Sequence, residues 1–117
     1  MKNKKLLERF GFAWAGIVSA WRSEHSFRLQ LAMAVALLLA LAWLQPPAVW
    51  WALCLVMVFL VLAAELFNTA LESLIDHLHP EVHPAIKTAK DCAAGAVLLL
   101  SIGALAVGIM TLAVALL

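Results

Sequence analysis

Two long stretches of this chain, Leu29–Ala64 and Cys92–Leu117, contain no Asp, Glu, Lys or Arg. The eight basic and seven acidic side chains are confined to Met1–Arg28 and Glu65–Asp91. A domain that folds in water spreads charge over its surface, at about a quarter of its residues. Here 13% of residues are charged and 66% are hydrophobic, which leaves no composition for an aqueous shell. Lipid is the solvent that resolves this pattern. With 117 residues the chain is also too short to bury a large core of its own. A net charge of +1 points to no nucleic acid and no acidic partner.

Periodicity and proline divide the chain into an all-α integral membrane fold: an N-terminal interfacial amphipathic helix plus three transmembrane helices, in a single membrane domain. Residues 1–26 are expected to form the surface helix. Leu7, Phe10, Trp14, Ile17, Val18 and Trp21 recur at helical spacing among basic residues. An aromatic face opposite Lys and Arg suits the headgroup layer; packing of that face on the protein's own spans is a compatible alternative. Residues 27–44 are the first span, close to the minimum for a hydrocarbon core of ~30 Å. Gln45-Pro46-Pro47 ends it, since proline forbids continuation. Trp43, Trp50 and Trp51 bracket this turn as interfacial anchors. Residues 48–76 are the second span with a charged cytoplasmic extension, 77–84 a loop with two prolines, and 85–117 the third span. Small residues in that last segment, among them Gly95, Gly103 and Gly108, permit close helix packing.

Six Lys and Arg lie before or at the very start of the first span, two lie in the 77–91 segment, and the Gln45–Val49 turn has none. The positive-inside rule therefore puts the N-terminus and the 77–91 segment in the cytoplasm. No cleavage site follows the first apolar run, so that span is expected to stay in the protein. Cys54 and Cys92 lie in or beside apolar runs and read as two buried thiols rather than a disulfide framework.

Glu65, Asn68, Glu72 and Asp76 stand at i, i+3, i+7 and i+11. At about 100° per residue they share one narrow stripe of the second helix. Glu65 and Glu72 lie roughly 10 Å apart along the axis. A carboxylate at the depth of Glu65 costs ~3 kcal/mol unless it is paired or bound to a cation. Ion pairing with Lys87, Lys90 or Arg28 would account for Asp76 near the helix end. Two deep carboxylates with an amide between them are better explained by catalysis or a metal. Hard oxygen donors suit Mg²⁺, which uses one or two carboxylates beside phosphate. Lys87 and Asp91 can pair at i, i+4, which leaves Lys90 free to meet an anion. His77, His79 and His83 are read as loop histidines, since prolines interrupt any ligand spacing. No Gly-rich phosphate loop and no protein-kinase pattern occurs. Spacing by itself leaves a membrane enzyme and a small ion pathway both open.

The run Glu65-Leu-Phe-Asn68-Thr-Ala-Leu-Glu72, then Asp76, then Ala89-Lys90-Asp91-Cys-Ala-Ala-Gly95, resembles the prokaryotic diacylglycerol kinase family, which includes the undecaprenol kinases. Gly16 and Trp21-x-x-Glu24-x-x-Phe27-Arg28 match its first block. The resemblance covers nearly the whole chain. It implies an ATP-dependent lipid kinase in the bacterial inner membrane, active on the cytoplasmic side as a homotrimer with shared sites. It implies Glu65 as the base that deprotonates the lipid hydroxyl, with Asn68 orienting it. Glu24 and Glu72 would hold Mg²⁺ on ATP, and Lys90, Asp91, Glu81 and His83 would seat the nucleotide. Trp21 and Arg28, with Glu65, would meet the lipid. Phe12 stands where a tyrosine is common in the diacylglycerol-specific enzymes, and Ala94-Gly95 with the Pro80-Glu81-Val82-His83-Pro84 loop is similar to the undecaprenol branch. Diacylglycerol is the favoured acceptor, undecaprenol the alternative. An ion-translocating subunit with Glu65 as its buried acid is the competing class.

Overall fold

The structure, a computed structural model, describes residues 5–117, so the part of the expected surface helix before Lys5 lies outside the described residues. Four helices follow one another: α1 Leu6–Ser23, α2 His25–Leu44, α3 Ala48–Leu78 and α4 Pro84–Leu116. α2, α3 and α4 are each long and apolar enough to cross a membrane. The protein is an all-α integral membrane protein.

Each helix end has a local cause. Glu24 breaks α1 from α2 in an extended conformation, φ −116° and ψ 111°. Arg28 secures the break: its Nη1 donates to the carbonyls of Trp21, at 2.7 Å, and Arg22, at 3.3 Å. These are orphan acceptors at a helix C-terminus, where a cation is favourable. Gln45 closes α2 in the left-handed region, φ 51°, and its Nε2 donates to the Ala42 carbonyl at 2.8 Å. Pro46 and Pro47 then force the turn into α3. α4 starts at Pro84, whose missing N–H costs nothing at a first helical position. The His83 ring caps it by accepting from the Ala85 N–H at 3.1 Å.

Several ends differ from the sequence expectation. α1 stops at Ser23, short of the expected 26, because the chain turns extended at Glu24, and α4 ends at Leu116. α2 begins two residues early, at His25, because the Glu24 break frees the chain at once. α3 continues two residues beyond Asp76, to Leu78, because proline first forbids it at Pro80. α4 takes in Pro84 for the reason just given.

α3 and α4 pack along most of their lengths, whereas α2 meets α4 at only a few positions. Of the glycines, Gly103 lies closest to a neighbouring helix: an added Cβ would come within 3.2 Å of Met57 Cε. Gly95 and Gly108 face open space, so of these three glycines only Gly103 serves packing within the chain. Cys54 and Thr111 are fully enclosed, with Sγ and Oγ1 3.3 Å apart, and Thr111 also donates to the Val107 carbonyl at 2.7 Å. Cys92, expected to be buried, is exposed, because that turn of α4 presents it away from α3. At ~1.5 Å per residue, the 31 residues of α3 reach well past a ~30 Å hydrocarbon core. Its surplus is the charged stretch from Glu65 onward.

Candidate active site

The break between α1 and α2 brings Glu24 beside the middle of α3. Glu65 is 4% exposed, the one buried carboxylate among the described residues. Glu24 and Glu72 both lie near enough to act on its charge, and the Gln30 side chain of α2 faces its carboxyl. Three acids separated by up to 48 positions in the chain thus converge at the level where α3 leaves its apolar half.

One turn beyond Glu65, Asn68 Nδ2 donates to Glu72 Oε1 at 3.4 Å. The amide expected to orient Glu65 therefore steadies Glu72. Its Oδ1 is buried without a hydrogen-bond partner. An orphaned buried oxygen beside a carboxylate is an uncommon expense in a native fold. It is also the type of donor a hard cation takes. Among the described residues no three His, Cys, Asp or Glu side chains form a closed metal cage. The unpartnered Asn68 oxygen and the adjacent Glu72 carboxylate are hard oxygen donors, chemically suited to a cation that completes its shell with phosphate and water.

The second group of site residues surrounds the α3–α4 connection. Glu81, His83, Lys87, Lys90 and Asp91 line a hollow of about 220 Å³ together with His79, Pro80, Val82 and Ile86. Lys90 is ion-paired with Asp76, one of the pairings the sequence left open for that carboxylate, and so is not the free cation that the Lys87–Asp91 spacing also allowed. Lys87 pairs with Asp91 at 2.6 Å, the expected i, i+4 contact. The Lys90–Asp76 pair ties the base of α4 to the end of α3, and so joins the hollow to the acidic stripe. His83 spends Nδ1 on the α4 cap, and His79 Nδ1 lies 3.1 Å from the Glu81 carbonyl.

Of the residues expected to meet lipid, Arg28 is engaged with α1 carbonyls and holds Glu24 in place rather than projecting freely. The Trp21 side chain is half exposed at the end of α1. Sequence reasoning missed Gln30 and Ser101. Gln30 Nε2 donates to Ser101 Oγ at 3.2 Å, linking α2 to α4 beside Glu65. The available signal was a lone amide inside an otherwise apolar span, where an unsatisfied polar group is costly. Reading charge alone passes over it.

The whole arrangement lies within residues 11–112, the part of the chain matched by the family model for prokaryotic diacylglycerol kinase. The chain belongs to the prokaryotic diacylglycerol kinase family. It is 42% identical over 104 residues to a diacylglycerol kinase of Synechocystis sp., covering 88% of this chain and 59% of that relative. The chain thus spans well under two thirds of that protein's length. The diacylglycerol kinase of Escherichia coli (strain K12) is 34% identical over 96 residues, covering 81% of this chain and 78% of the relative. An undecaprenol kinase of Bacillus subtilis (strain 168) is 29% identical over 106 residues, covering 91% and 86%. This diacylglycerol kinase family membership attaches the acidic stripe to a family of lipid kinases. The relatives carry two names, diacylglycerol kinase and undecaprenol kinase.

Proposed function

We propose that this chain transfers the γ-phosphate of MgATP to the hydroxyl of diacylglycerol, giving phosphatidic acid and ADP. The observation that carries this reading is the buried Glu65 carboxylate converging with Glu24 and Glu72 where α3 emerges from its apolar half. A lipid alcohol is anchored at that depth, and an enclosed carboxylate there meets it without competition from bulk water. Glu65 takes the hydroxyl proton as the alcohol oxygen forms its bond to the γ-phosphorus. The bond from that phosphorus to the β-phosphate bridging oxygen breaks, and ADP leaves with the electron pair.

Glu24 and Glu72 are the residues to hold Mg²⁺, with Asn68 fixing Glu72 and adding its unpaired oxygen. When bound, the ion supplies neutralisation of phosphate charge, which phosphoryl transfer needs more than covalent help. Lys87 and Lys90, set around the loop hollow with Glu81, His83 and Asp91, offer the nucleotide its cationic and hydrogen-bonding contacts. The charged face is cytoplasmic in the bacterial inner membrane, by the distribution of Lys and Arg. α1 lies in the headgroup layer: Leu7, Phe10 and Trp14 are each at least 65% exposed, so the chain itself does not cover its apolar face. A homotrimer accounts for the thin internal packing of the spans, in which only 11% of the most apolar stretch of α4 is buried.

Undecaprenol is the second acceptor reading, favoured by the extent of the match to the Bacillus subtilis undecaprenol kinase. Purified protein in mixed micelles, given MgATP with each lipid in turn, tests both. Labelled phosphatidic acid as the dominant product supports the proposal, and undecaprenyl phosphate as the dominant product replaces it with the alternative. Proton flux in liposomes with no ATP consumption would move the chain into the ion-pathway class.

A further inference from the structure

An apolar crevice of about 430 Å³ lies between α2, α3 and α4, lined by residues such as Met33, Leu37, Val61 and Leu105. Its polar lining is confined to Gln30 and Ser101, which meet each other at 3.2 Å. The bond spans 71 positions of sequence and joins two helices that otherwise scarcely touch. A side-chain amide and a hydroxyl placed in lipid at such a contact can serve as an interhelical tie and nothing more. The surroundings of Gln30 say otherwise. Its carboxamide nitrogen carries two N–H groups, and Ser101 Oγ takes one. The same side chain faces the carboxyl of Glu65, which is enclosed and has carboxylates as its other polar neighbours named above.

We propose that Gln30, fixed by Ser101, is the positioning residue for Glu65: it aims the base at the mouth of the crevice, where the lipid hydroxyl arrives. The inference rests on Glu65 being the base. A carboxylate that must receive a proton from one direction needs its other oxygen held, and a neutral amide does this without adding charge. A lysine in that place would neutralise the base, and a further acid would crowd it with like charge. Ser101 matters because a Gln side chain has three rotatable bonds. Tethering one N–H to α4 removes that freedom before substrate binds, so the amide is already in place when the proton moves. The crevice below then has its polar edge beside Glu65 and an apolar body beyond. That order matches a lipid alcohol, with its head at the acid and its hydrocarbon in the groove.

Q30L keeps volume and removes the amide. The expected result is kcat lower by about tenfold, the rate equivalent of one hydrogen bond to a charged group. KM for MgATP should be unchanged, and the thermal unfolding midpoint in detergent should fall by no more than the loss of one interhelical hydrogen bond produces. S101A should lower kcat by roughly two- to threefold in the same way, since it loosens the amide without removing it. S101T, which keeps the hydroxyl, should restore the rate. The double variant Q30L/S101A should be no slower than Q30L, because the hydroxyl acts through the amide. Wild-type kcat in Q30L overturns the proposal, as does a lowered midpoint with full activity per folded molecule, which is the signature of a mere tie. Should Q30L fail to fold, the S101A and S101T pair decides by the same readings. E65Q assayed alongside separates the two levels of inference. An active E65Q defeats the base assignment itself, whereas an inactive E65Q beside a fully active Q30L defeats only the role of Gln30.

Discussion

The two ends of the α3–α4 hairpin are built on opposite terms. Toward the Pro46-Pro47 turn the helices enclose one neutral polar pair, Cys54 and Thr111, with both partners satisfied and no charge nearby. Toward the α3–α4 loop they carry Glu65, Asn68, Glu72, Asp76, Lys87, Lys90 and Asp91. There the polar atoms are satisfied unevenly: Asp76 and Asp91 have lysine partners, while the Asn68 oxygen has none. The first end is what packing in lipid favours on its own. The second departs from it in its deepest part, at Glu65 and Asn68, and approaches ordinary surface chemistry at Asp76. Cost without local compensation is where function is to be sought, and along α3 that cost rises toward Glu65 and Asn68, the proposed catalytic stretch, and falls again at Asp76.

The most severe break of this contrast is E65Q, which removes the proposed base and keeps the shape. Lipid phosphorylation should fall by about 10²–10⁴-fold, the range for losing a positioned general base. Nucleotide binding and the unfolding midpoint should persist. E72Q should come next, with the Mg²⁺ concentration for half-maximal activity raised by at least roughly tenfold. An unaltered Mg²⁺ titration would take Glu72 out of the cation site. At the opposite end, T111V should leave kcat untouched and lower stability by about 0.6 kcal/mol, the measured average for interhelical hydrogen bonds in membranes, and by no more than about 1.7 kcal/mol, their maximum. A loss of turnover there at full stability would dissolve the division between the two ends. The smallest change is expected from D76N. Its pair with Lys90 is substantially exposed, so stability should shift by less than about 1 kcal/mol. A collapse of activity in D76N would extend the catalytic stretch one turn further toward the loop.

The helices were legible in the chain because each rule that defines them is local. The charge-free blocks Leu29–Ala64 and Cys92–Leu117, the Pro46-Pro47 break and the Trp residues around it required no knowledge of tertiary neighbours. The stripe from Glu65 to Asp76 was legible for the same reason, since a single helix fixes its angular spacing. Two details at the helix ends were not. Whether Lys90 was a free cation or the partner of Asp76 stayed open, because the two lie on different helices across a loop. Arg28 read as a substrate contact because its carbonyl partners become available only when α1 ends at Ser23.

By itself, then, the sequence determined the solvent, the number of spans and the level at which acid meets lipid. Hydropathy, proline and helical period act within a few residues, and a chain of this composition has few other options. The tertiary structure decided which groups share a site: Glu24 brought to Glu65 and Glu72 by the break before α2, Asn68 turned to Glu72, and Gln30 joined to Ser101 across the crevice. Those pairings depend on how α2 and α4 lean on α3. Side-chain volumes distributed over all the helices set that lean, and no short stretch of sequence records it.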